Sequence, residues 1–190
     1  MVVPDTEGKA RLILLLGGAR AGKSSFALRL AEECEQSSQR QVYVIATAQA
    51  LDNDMAERIS RHRKERPLHW RTIEEPYQLD EALRQTAEKA IVIVDCLTLF
   101  VSNWLLRQED VHQCELVVGQ ITRDFLTEAQ SRAQTIICVS NEVGLGVVPK
   151  SRLGRLFRDV LGRVNQDFAE AADEVYLMVA GQKLRLKPQS

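Results

Sequence analysis

The segment of residues 17–24, which reads GGARAGKS, constrains this chain more than any other feature of the sequence. It matches the pattern G-x-x-x-x-G-K-[ST], in which glycines let consecutive backbone N–H groups turn inward around phosphate oxygens. Lys23 would reach the β- and γ-phosphates, and the Ser24 hydroxyl would join a Mg²⁺ shell. An apolar run precedes the motif and a helical pattern follows it, which is the context that a true match requires. The segment therefore predicts a site for a nucleoside triphosphate.

Short apolar runs alternate with longer segments of helical period along the rest of the sequence, a pattern typical of a parallel sheet covered by helices. A chain of 190 residues is long enough for one domain with a full core. We predict an α/β fold in a single domain of residues 1–190, with a mostly parallel sheet flanked by helices, a C-terminal β-hairpin and a flexible extension at residues 1–11. The predicted strands are 12–16, 42–46, 70–73, 91–94 and 135–139, with a hairpin of 175–179 and 184–186. The predicted helices include 54–66, 97–107 and one formed by Leu79, Ala82, Leu83, Ala87 and Ala90.

The charge balance argues against nucleic-acid and membrane partners. The net charge is -1 and the pI is about 6.3, so no global positive field gathers nucleic acid or anionic lipid. The N-terminus is polar, and no apolar run approaches the roughly 18 residues of a spanning helix. We expect a cytoplasmic protein with no nucleic-acid partner and no membrane insertion.

Asp95 follows the apolar run IVIV, where a second strand would bring a carboxylate beside the metal or its water shell. The alternative is that Asp95 caps the next helix. The sequence lacks the N-K-x-D segment that reads guanine in signalling GTPases, and D-C-L-T stands where such proteins carry D-x-x-G. These absences make a signalling GTPase a poor interpretation.

Five blocks in order resemble a known family: GGARAGKS, YVIATAQALDNDMAERISRHRKERPLHWRTIEEP, VIVDCLT, SNEVGLGVVP and FRDVLGRVNQDFAEAADEVYLMVAG. The family is that of the bifunctional adenosylcobinamide kinase/adenosylcobinamide-phosphate guanylyltransferases of cobalamin biosynthesis. The blocks span almost the whole chain. The resemblance implies a RecA-like P-loop domain that assembles as a homotrimer and uses Mg²⁺.

The resemblance also implies two successive reactions on one corrinoid, with adenosylcobinamide and its phosphate as partners and ATP and GTP as co-substrates. First, ATP or GTP gives its terminal phosphoryl group to the aminopropanol hydroxyl of adenosylcobinamide. Then GTP guanylylates an enzyme histidine, pyrophosphate leaves, and the phosphate of the substrate takes the GMP to give adenosylcobinamide-GDP. Two other interpretations stay open: a simple P-loop small-molecule kinase without the guanylyl step, and a non-catalytic module whose assembly is gated by nucleotide.

The histidines are His62, His69 and His112, and the resemblance places the guanylylated one at His62. Some relatives carry two adjacent histidines there, with the first implicated, and Arg61 occupies that first position in this chain. The basic side chains of residues 58–66 are expected to lower the pKa of His62, because attack on an α-phosphorus needs a neutral ring. The alternative is that this segment is only a solvated helix face. His69 and His112 are interpreted as packing or surface residues.

The predicted site combines the motif with residues that the resemblance implies. His62 and Lys23 are the expected catalytic residues, and Ser24 and Asp95 are the possible Mg²⁺ ligands. The loop of residues 141–149 follows a strand at the edge where open α/β sheets bind ligands; it either shapes the corrinoid site or is a plain connection. The predicted nucleotide-binding residues are Gly17, Gly18, Ala19, Arg20, Ala21, Gly22, Lys23, Ser24, Thr47, Ala48, Gln49, Arg63, Lys64, Glu65, Arg66, Glu74 and Asp95.

Overall fold

A computed structural model describes residues 10–107 and 110–188. The strands are β1 (Arg11–Gly17), β2 (Val42–Ala46), β3 (Arg71–Glu74), β4 (Ile91–Asp95), β5 (Thr135–Val139), β6 (Glu174–Val179) and β7 (Gln182–Lys187). The helices are α1 (Lys23–Ser38), α2 (Asn53–Lys64), α3 (Leu79–Arg84), α4 (Leu97–Arg107), α5 (Val111–Ser131) and α6 (Arg152–Ala171). Among these described residues, no helix is both long enough and apolar enough to span a bilayer.

The seven strands form one sheet in the order β3-β2-β4-β5-β1-β6-β7. The strands β1 to β6 run parallel, and β7 returns antiparallel to β6 as the second arm of a hairpin. The predicted α/β class, with a mostly parallel sheet and a C-terminal hairpin, is therefore confirmed. Because these strands are parallel, their carboxyl ends meet at one edge of the sheet, where ligands bind in open α/β folds.

Two apolar layers hold the helices against the sheet. Along β1 the side chains alternate between the layers, as the two-residue period of a strand requires: Leu14 packs toward α3 to α6, and Leu15 packs toward α1. The interior strands β1, β4 and β5 are apolar almost throughout because helices cover both faces of the sheet. This packing leaves the polar ends of the strands at the edge that carries the predicted site.

The predicted helix over Leu79, Ala82, Leu83, Ala87 and Ala90 is wrong in its second half. The helix α3 ends at Arg84, and Ala87 is exposed. The cause is Thr86, whose amide and hydroxyl both bond to the carbonyl oxygen of Leu83, at 3.1 and 2.7 Å, and close the last turn. The Thr86 hydroxyl also accepts a bond of 2.8 Å from Gln134, which ties the turn to the start of β5.

The C-terminal boundary of the flexible extension predicted for residues 1–11 is wrong. Residues 1–9 lie outside the described residues, but Arg11 already belongs to β1. Its amide donates to the carbonyl oxygen of Gln134 at 2.8 Å, and its guanidinium donates to the Glu174 carboxylate. These contacts place Arg11 in the sheet.

Glu174, at the start of β6, is the centre of a buried polar cluster. One carboxylate oxygen accepts from Arg11, the other accepts from the Tyr176 hydroxyl, and Arg185 of β7 lies 3.6 Å away. Burial raises the pKa of Glu174, but the hydrogen bonds from Tyr176 and Arg11 and the charges of Arg11 and Arg185 outweigh it, so the pKa lies below its usual value. The cluster joins the strands β1, β6 and β7.

Replacing Glu174 by alanine is expected to lower the free energy of unfolding by about 3 kcal/mol, because Arg11 is left buried without its carboxylate. Asp159→Ala, which removes an exposed ion pair with Arg158, should cost less than about 1 kcal/mol and serves as the control. The pKa of Glu174 is lower in the folded state, so its stabilisation is present above about pH 4.3 and is lost as the pH falls through the folded pKa. Urea unfolding at several pH values should show the unfolding free energies of the wild-type and Glu174→Ala proteins converging in acid. A difference between them that does not change with pH would contradict this account.

Candidate active site

The loop between β1 and α1 is shaped by two glycines that pack against the β6–β7 hairpin. Gly17 has φ +149, and a Cβ there would lie 2.4 Å from the carbonyl oxygen of Met178 on β6. Gly22 has φ +92 as the residue before α1, and a Cβ there would lie 3.2 Å from Cα of Gly181 in the hairpin turn. A side chain at either position would therefore push the loop away from the sheet. The remaining tip residues Gly18, Ala19 and Arg20 are exposed.

Lys23 begins α1 and turns its side chain back into this loop. Its ammonium donates to the carbonyl oxygens of Gly17 and Gly18 at 2.9 and 2.7 Å. Burial lowers the pKa of Lys23, and the negative charge of Asp95 opposes that shift. The side chain is thus held at the centre of the predicted phosphate cradle.

The helix α2 brings His62 to the carboxyl end of β4. Asp52 caps the start of α2 by accepting from the amide of Met55 at 2.7 Å, and none of the helix's 12 described residues is buried. The Nδ1 atom of His62 lies 3.5 Å from Oδ2 of Asp95, the last residue of β4. Arg66, just beyond the end of α2, places Nη2 3.5 Å from the same oxygen. Asp95 therefore holds both the imidazole and a guanidinium at the end of the sheet.

A narrow cleft between α1 and α2 brings together predicted residues that are far apart in the sequence. Its floor is apolar and comes from both helix α1 and the strands, with Ala27, Leu28, Val44, Ile93 and Val139. Its polar wall consists of Ser24, His62, Glu65, Arg66 and Asp95. The end of the phosphate motif thus faces the candidate nucleophile.

Ser24 and Asp95 offer a hydroxyl and a carboxylate to the same cleft, which suits Mg²⁺. This ion keeps several waters and binds through one or two protein oxygens together with substrate phosphates. No group of three or more His, Cys, Asp or Glu side chains able to hold a metal exists among the described residues. The two donors, Ser24 and Asp95, therefore fit an ion that a nucleotide also binds. Oδ2 of Asp95 faces His62 and Arg66 in this structure.

The prediction that neighbouring cations lower the pKa of His62 is wrong. Hydrogen bonding to Asp95 raises the pKa above its usual value, burial opposes the rise, and the negative charges of Asp95 and Glu65 add to it. Arg66 lowers it only in part. Arg61 and Arg63 are exposed, so solvent screens their charges from the ring. The nearest carboxylate therefore outweighs the basic sequence around the histidine.

Other predicted residues lie around the cleft. Arg63 faces Glu74 at 3.8 Å, and both side chains are exposed, as is Lys64. Thr47 is buried, and its hydroxyl donates to the carbonyl oxygen of Cys96 at 2.7 Å and accepts from the Cys96 amide at 2.8 Å. The structure thus gives the Thr47 hydroxyl a role in joining the ends of β2 and β4. Ala48 and Gln49, which follow Thr47, are half-buried.

The two remaining histidines lie apart from the cleft, as expected. His69 is mostly exposed and contacts Glu35 of α1 at 2.9 Å, and His112 is exposed at the start of α5.

Sequence reasoning missed two features of the site. It did not pair Asp95 with His62, although a carboxylate after an apolar strand and a histidine at a helix end were both noted. It also did not consider Glu142, whose amide donates to the carbonyl oxygen of Gly17 at 3.1 Å. The available signal was the position of Glu142 shortly after the end of β5 at Val139, at the same sheet edge as the phosphate motif.

The sheet order and the phosphate loop between β1 and α1 define the class: this is a P-loop nucleotide-binding domain of RecA-like architecture. The chain is similar to the flagellar accessory protein FlaH from Methanocaldococcus jannaschii, with a TM-score of 0.53 and 17% identity, over 95% of this chain and 80% of that chain. It is also similar to a DnaB-like replicative helicase, with a TM-score of 0.53 and 16% identity, over 90% of this chain and 47% of that chain. These likenesses concern the fold alone.

Residues 13–186 match the family CobU, described as cobinamide kinase / cobinamide phosphate guanyltransferase. The chain is 40% identical to the bifunctional adenosylcobalamin biosynthesis protein CobU of Escherichia coli (strain K12), over 93% of this chain and 99% of that protein. It is 46% identical to the bifunctional adenosylcobalamin biosynthesis protein CobP of Pseudomonas aeruginosa, over 92% of this chain and 96% of that protein. The chain belongs to this family of enzymes, which confirms the resemblance and disfavours both the simple kinase and the assembly module.

Replacing Lys23 by alanine is expected to raise the Kd for GTP at least about tenfold, because a hydrogen bond to a charged group contributes about 1.5–3 kcal/mol. Lys89→Ala is the control, since Lys89 is exposed in the turn before β4, at the opposite edge of the sheet. Calorimetric titration measures both affinities, and circular dichroism checks that both variants are folded. Unchanged affinity in a folded Lys23→Ala protein would show that residues 17–24 are not the phosphate cradle.

Proposed function

We propose that this enzyme phosphorylates adenosylcobinamide with ATP or GTP and then transfers GMP to the product through a covalent intermediate on His62. The observation that carries the proposal is the cleft shared by Ser24, which ends the phosphate motif, and His62, which lies in the last turn of α2. A triphosphate seated in the motif would have its phosphates beside a histidine. The family provides the two reactions, and this geometry supports the assignment of the nucleophile.

The phosphoryl step uses the phosphate cradle for electrostatic support. The acceptor hydroxyl attacks the γ-phosphorus, the bond from that phosphorus to the β-phosphate oxygen breaks, and the nucleoside diphosphate leaves. Lys23 lies where it would bind the β- and γ-phosphates as charge moves onto the leaving oxygen. Preorganised donors of this kind stabilise the transition state without moving during the reaction.

The guanylyl step uses the pair of His62 and Asp95. Because Nδ1 faces the carboxylate, the neutral ring carries its proton on Nδ1 and leaves the lone pair on Nε2 free to attack. The bond from Nε2 to the α-phosphorus forms, the bond from that phosphorus to the bridging oxygen breaks, and pyrophosphate leaves. The substrate phosphate then attacks the same phosphorus and releases the ring.

Asp95 assists this attack through its negative charge. The imidazole becomes cationic as Nε2 bonds to phosphorus, and a carboxylate beside Nδ1 stabilises that cation, as it does in hydrolase triads. The raised pKa of His62 reflects the same interaction, since Asp95 favours the charged ring. Arg66, whose side chain is only 10% exposed, stands beside this carboxylate with a guanidinium that would bind the phosphate under attack. Position 61, where some relatives carry the first of two histidines, is exposed in this chain. This exposure favours His62 as the nucleophile.

Mg²⁺ belongs to the proposal as the partner of the nucleotide. Ser24 and Asp95 would hold it, directly or through water, and the ion would neutralise charge on the phosphate oxygens. The homo-oligomer, a trimer by resemblance, and the use of both ATP and GTP as donors also stay part of the proposal.

Replacing His62 by alanine is expected to abolish acid-labile labelling of the protein by GTP that carries its label in the α-phosphate, because the nucleophile is gone. The phosphoryl step should remain measurable with ATP and adenosylcobinamide, since the cradle is intact. Protein-bound label after gel filtration and the mass of the corrinoid product measure the two steps.

The matched control is His112→Ala, which removes an exposed histidine at the start of α5 and should label like the wild-type protein. Retention of label by a folded His62→Ala protein would contradict the assignment of His62 as the nucleophile. Loss of label by His112→Ala as well would point to a general effect on folding.

A further inference from the structure

The chain after β5 continues to pair with β1 beyond the end of the strand. Val139 is in register with Leu15, and the amide of Ser140 donates to the carbonyl oxygen of Leu15 at 2.9 Å. The amide of Glu142 then donates to the carbonyl oxygen of Gly17 at 3.1 Å. Glu142 is therefore carried by the sheet itself to the first residue of the phosphate cradle.

The carbonyl oxygen of Gly17 accepts from two donors, the amide of Glu142 and the ammonium of Lys23. The amide of Glu142 and the ammonium of Lys23 thus both contact the same oxygen atom and lie close to each other. Since Lys23 binds the β- and γ-phosphates in a cradle of this type, Glu142 flanks the place of the terminal phosphoryl group.

The Glu142 carboxylate has a defined place within its loop. Its Oε1 accepts from the amide of Gly144 at 2.6 Å, and a Cβ on residue 144 would lie only 2.9 Å from that oxygen. A side chain at residue 144 would collide with this carboxylate, so the glycine leaves the room that the hydrogen bond to its amide needs. The side chain is half-exposed, so an acceptor molecule in solvent can reach it.

A buried polar network supports the start of this loop. The Ser140 hydroxyl donates to the side chain of Asn165 on α6 at 2.6 Å, and Asn165 donates to the carbonyl oxygen of Asn141 at 3.1 Å. The amide of Asn141 donates to the Thr98 hydroxyl on α4 at 2.7 Å. Two helices thus hold the residues that precede Glu142.

We infer that the Glu142 carboxylate is the general base that takes the proton of the acceptor hydroxyl in the phosphoryl step. The inference rests on the proposed function, because it concerns that step of the same site. Asp95 faces His62 and Arg66, and Glu65 lines the cleft from the end of α2. Glu142 instead follows β5, and its amide shares the carbonyl oxygen of Gly17 with Lys23. The reacting groups of the two steps therefore face different carboxylates: His62 faces Asp95 in guanylyl transfer, and the acceptor hydroxyl faces Glu142 in phosphoryl transfer.

The proton balance of the step is complete with groups that the reaction supplies. The acceptor O–H bond breaks as its oxygen bonds to the γ-phosphorus, and the proton moves to Glu142. The bond from the γ-phosphorus to the bridging oxygen breaks, and the nucleoside diphosphate leaves with that oxygen. Glu142 then releases the proton to water. An equivalent carboxylate accepts the hydroxyl proton in protein kinases.

The test is Glu142→Gln, which keeps an oxygen able to accept from Gly144 but removes the base. With ATP and adenosylcobinamide, kcat should fall about a hundredfold, the usual order for a general base, while KM changes by less than about twofold. Glu142→Asp keeps a carboxylate on a shorter side chain and should recover part of the lost kcat. Glu88→Gln alters an exposed carboxylate before β4, at the opposite edge of the sheet, and should behave as wild type.

Labelling with α-labelled GTP separates this inference from the proposed function. Glu142→Gln should label to the same extent as the wild-type protein, because His62 and Asp95 are unchanged. An unchanged kcat in Glu142→Gln, or an equal loss of phosphoryl transfer and labelling, would overturn the general base. Absence of label on the wild-type protein would refute the His62 intermediate but leave the kinetic result for Glu142 valid.

Discussion

The carbonyl oxygen of Gly17 is the point at which the sheet, the phosphate loop and the loop after β5 meet. It accepts from Lys23 and from the amide of Glu142, and it can do so because β1 lies between β5 and β6 in the sheet. The close approach of β6 leaves no room for a side chain at residue 17. A shift of β1 against β5 would change the distance between the ammonium of Lys23 and Glu142, because these residues follow different strands. In the proposed mechanism, the register of the parallel sheet therefore sets the positions of Lys23 and Glu142.

The guanylyl half of the site depends on a different kind of contact. None of the described residues of α2 is buried, so the helix gains little from apolar packing. Its C-terminal end is placed by polar contacts of His62 and Arg66 with Asp95 and by a bond of 3.3 Å from Arg66 to the Thr72 hydroxyl. Regions with few buried contacts open at low free-energy cost. The proposed nucleophile, His62, thus lies on a helix with no buried residue and contacts the end of the buried strand β4.

Sequence periodicity was enough for most of the fold, because the buried parallel strands are apolar runs and the long helices have one apolar face. It failed at α3, where Thr86 uses its hydroxyl to close the last turn, an effect that a hydrophobic pattern does not contain. For the site, the phosphate motif was predicted from local sequence and the role of His62 from family resemblance. The raised pKa of His62 was not, because the sequence shows many cations nearby but not that Asp95 is the charge that the ring faces. Glu142 was missed for a related reason: its proposed role follows from the register of β5 against β1, which is a long-range property.

The central claim is that a single bound GTP presents its α-phosphorus to Nε2 of His62. A crystal structure of the protein with Mg²⁺ and a GTP analogue that has a methylene group between the α- and β-phosphorus would test it most directly. We predict that the triphosphate binds along residues 17–24, with the α-phosphorus about 3–3.5 Å from Nε2 of His62 and in line with the blocked bond. A triphosphate in that cradle with His62 turned away and another nucleophile in line would contradict the account.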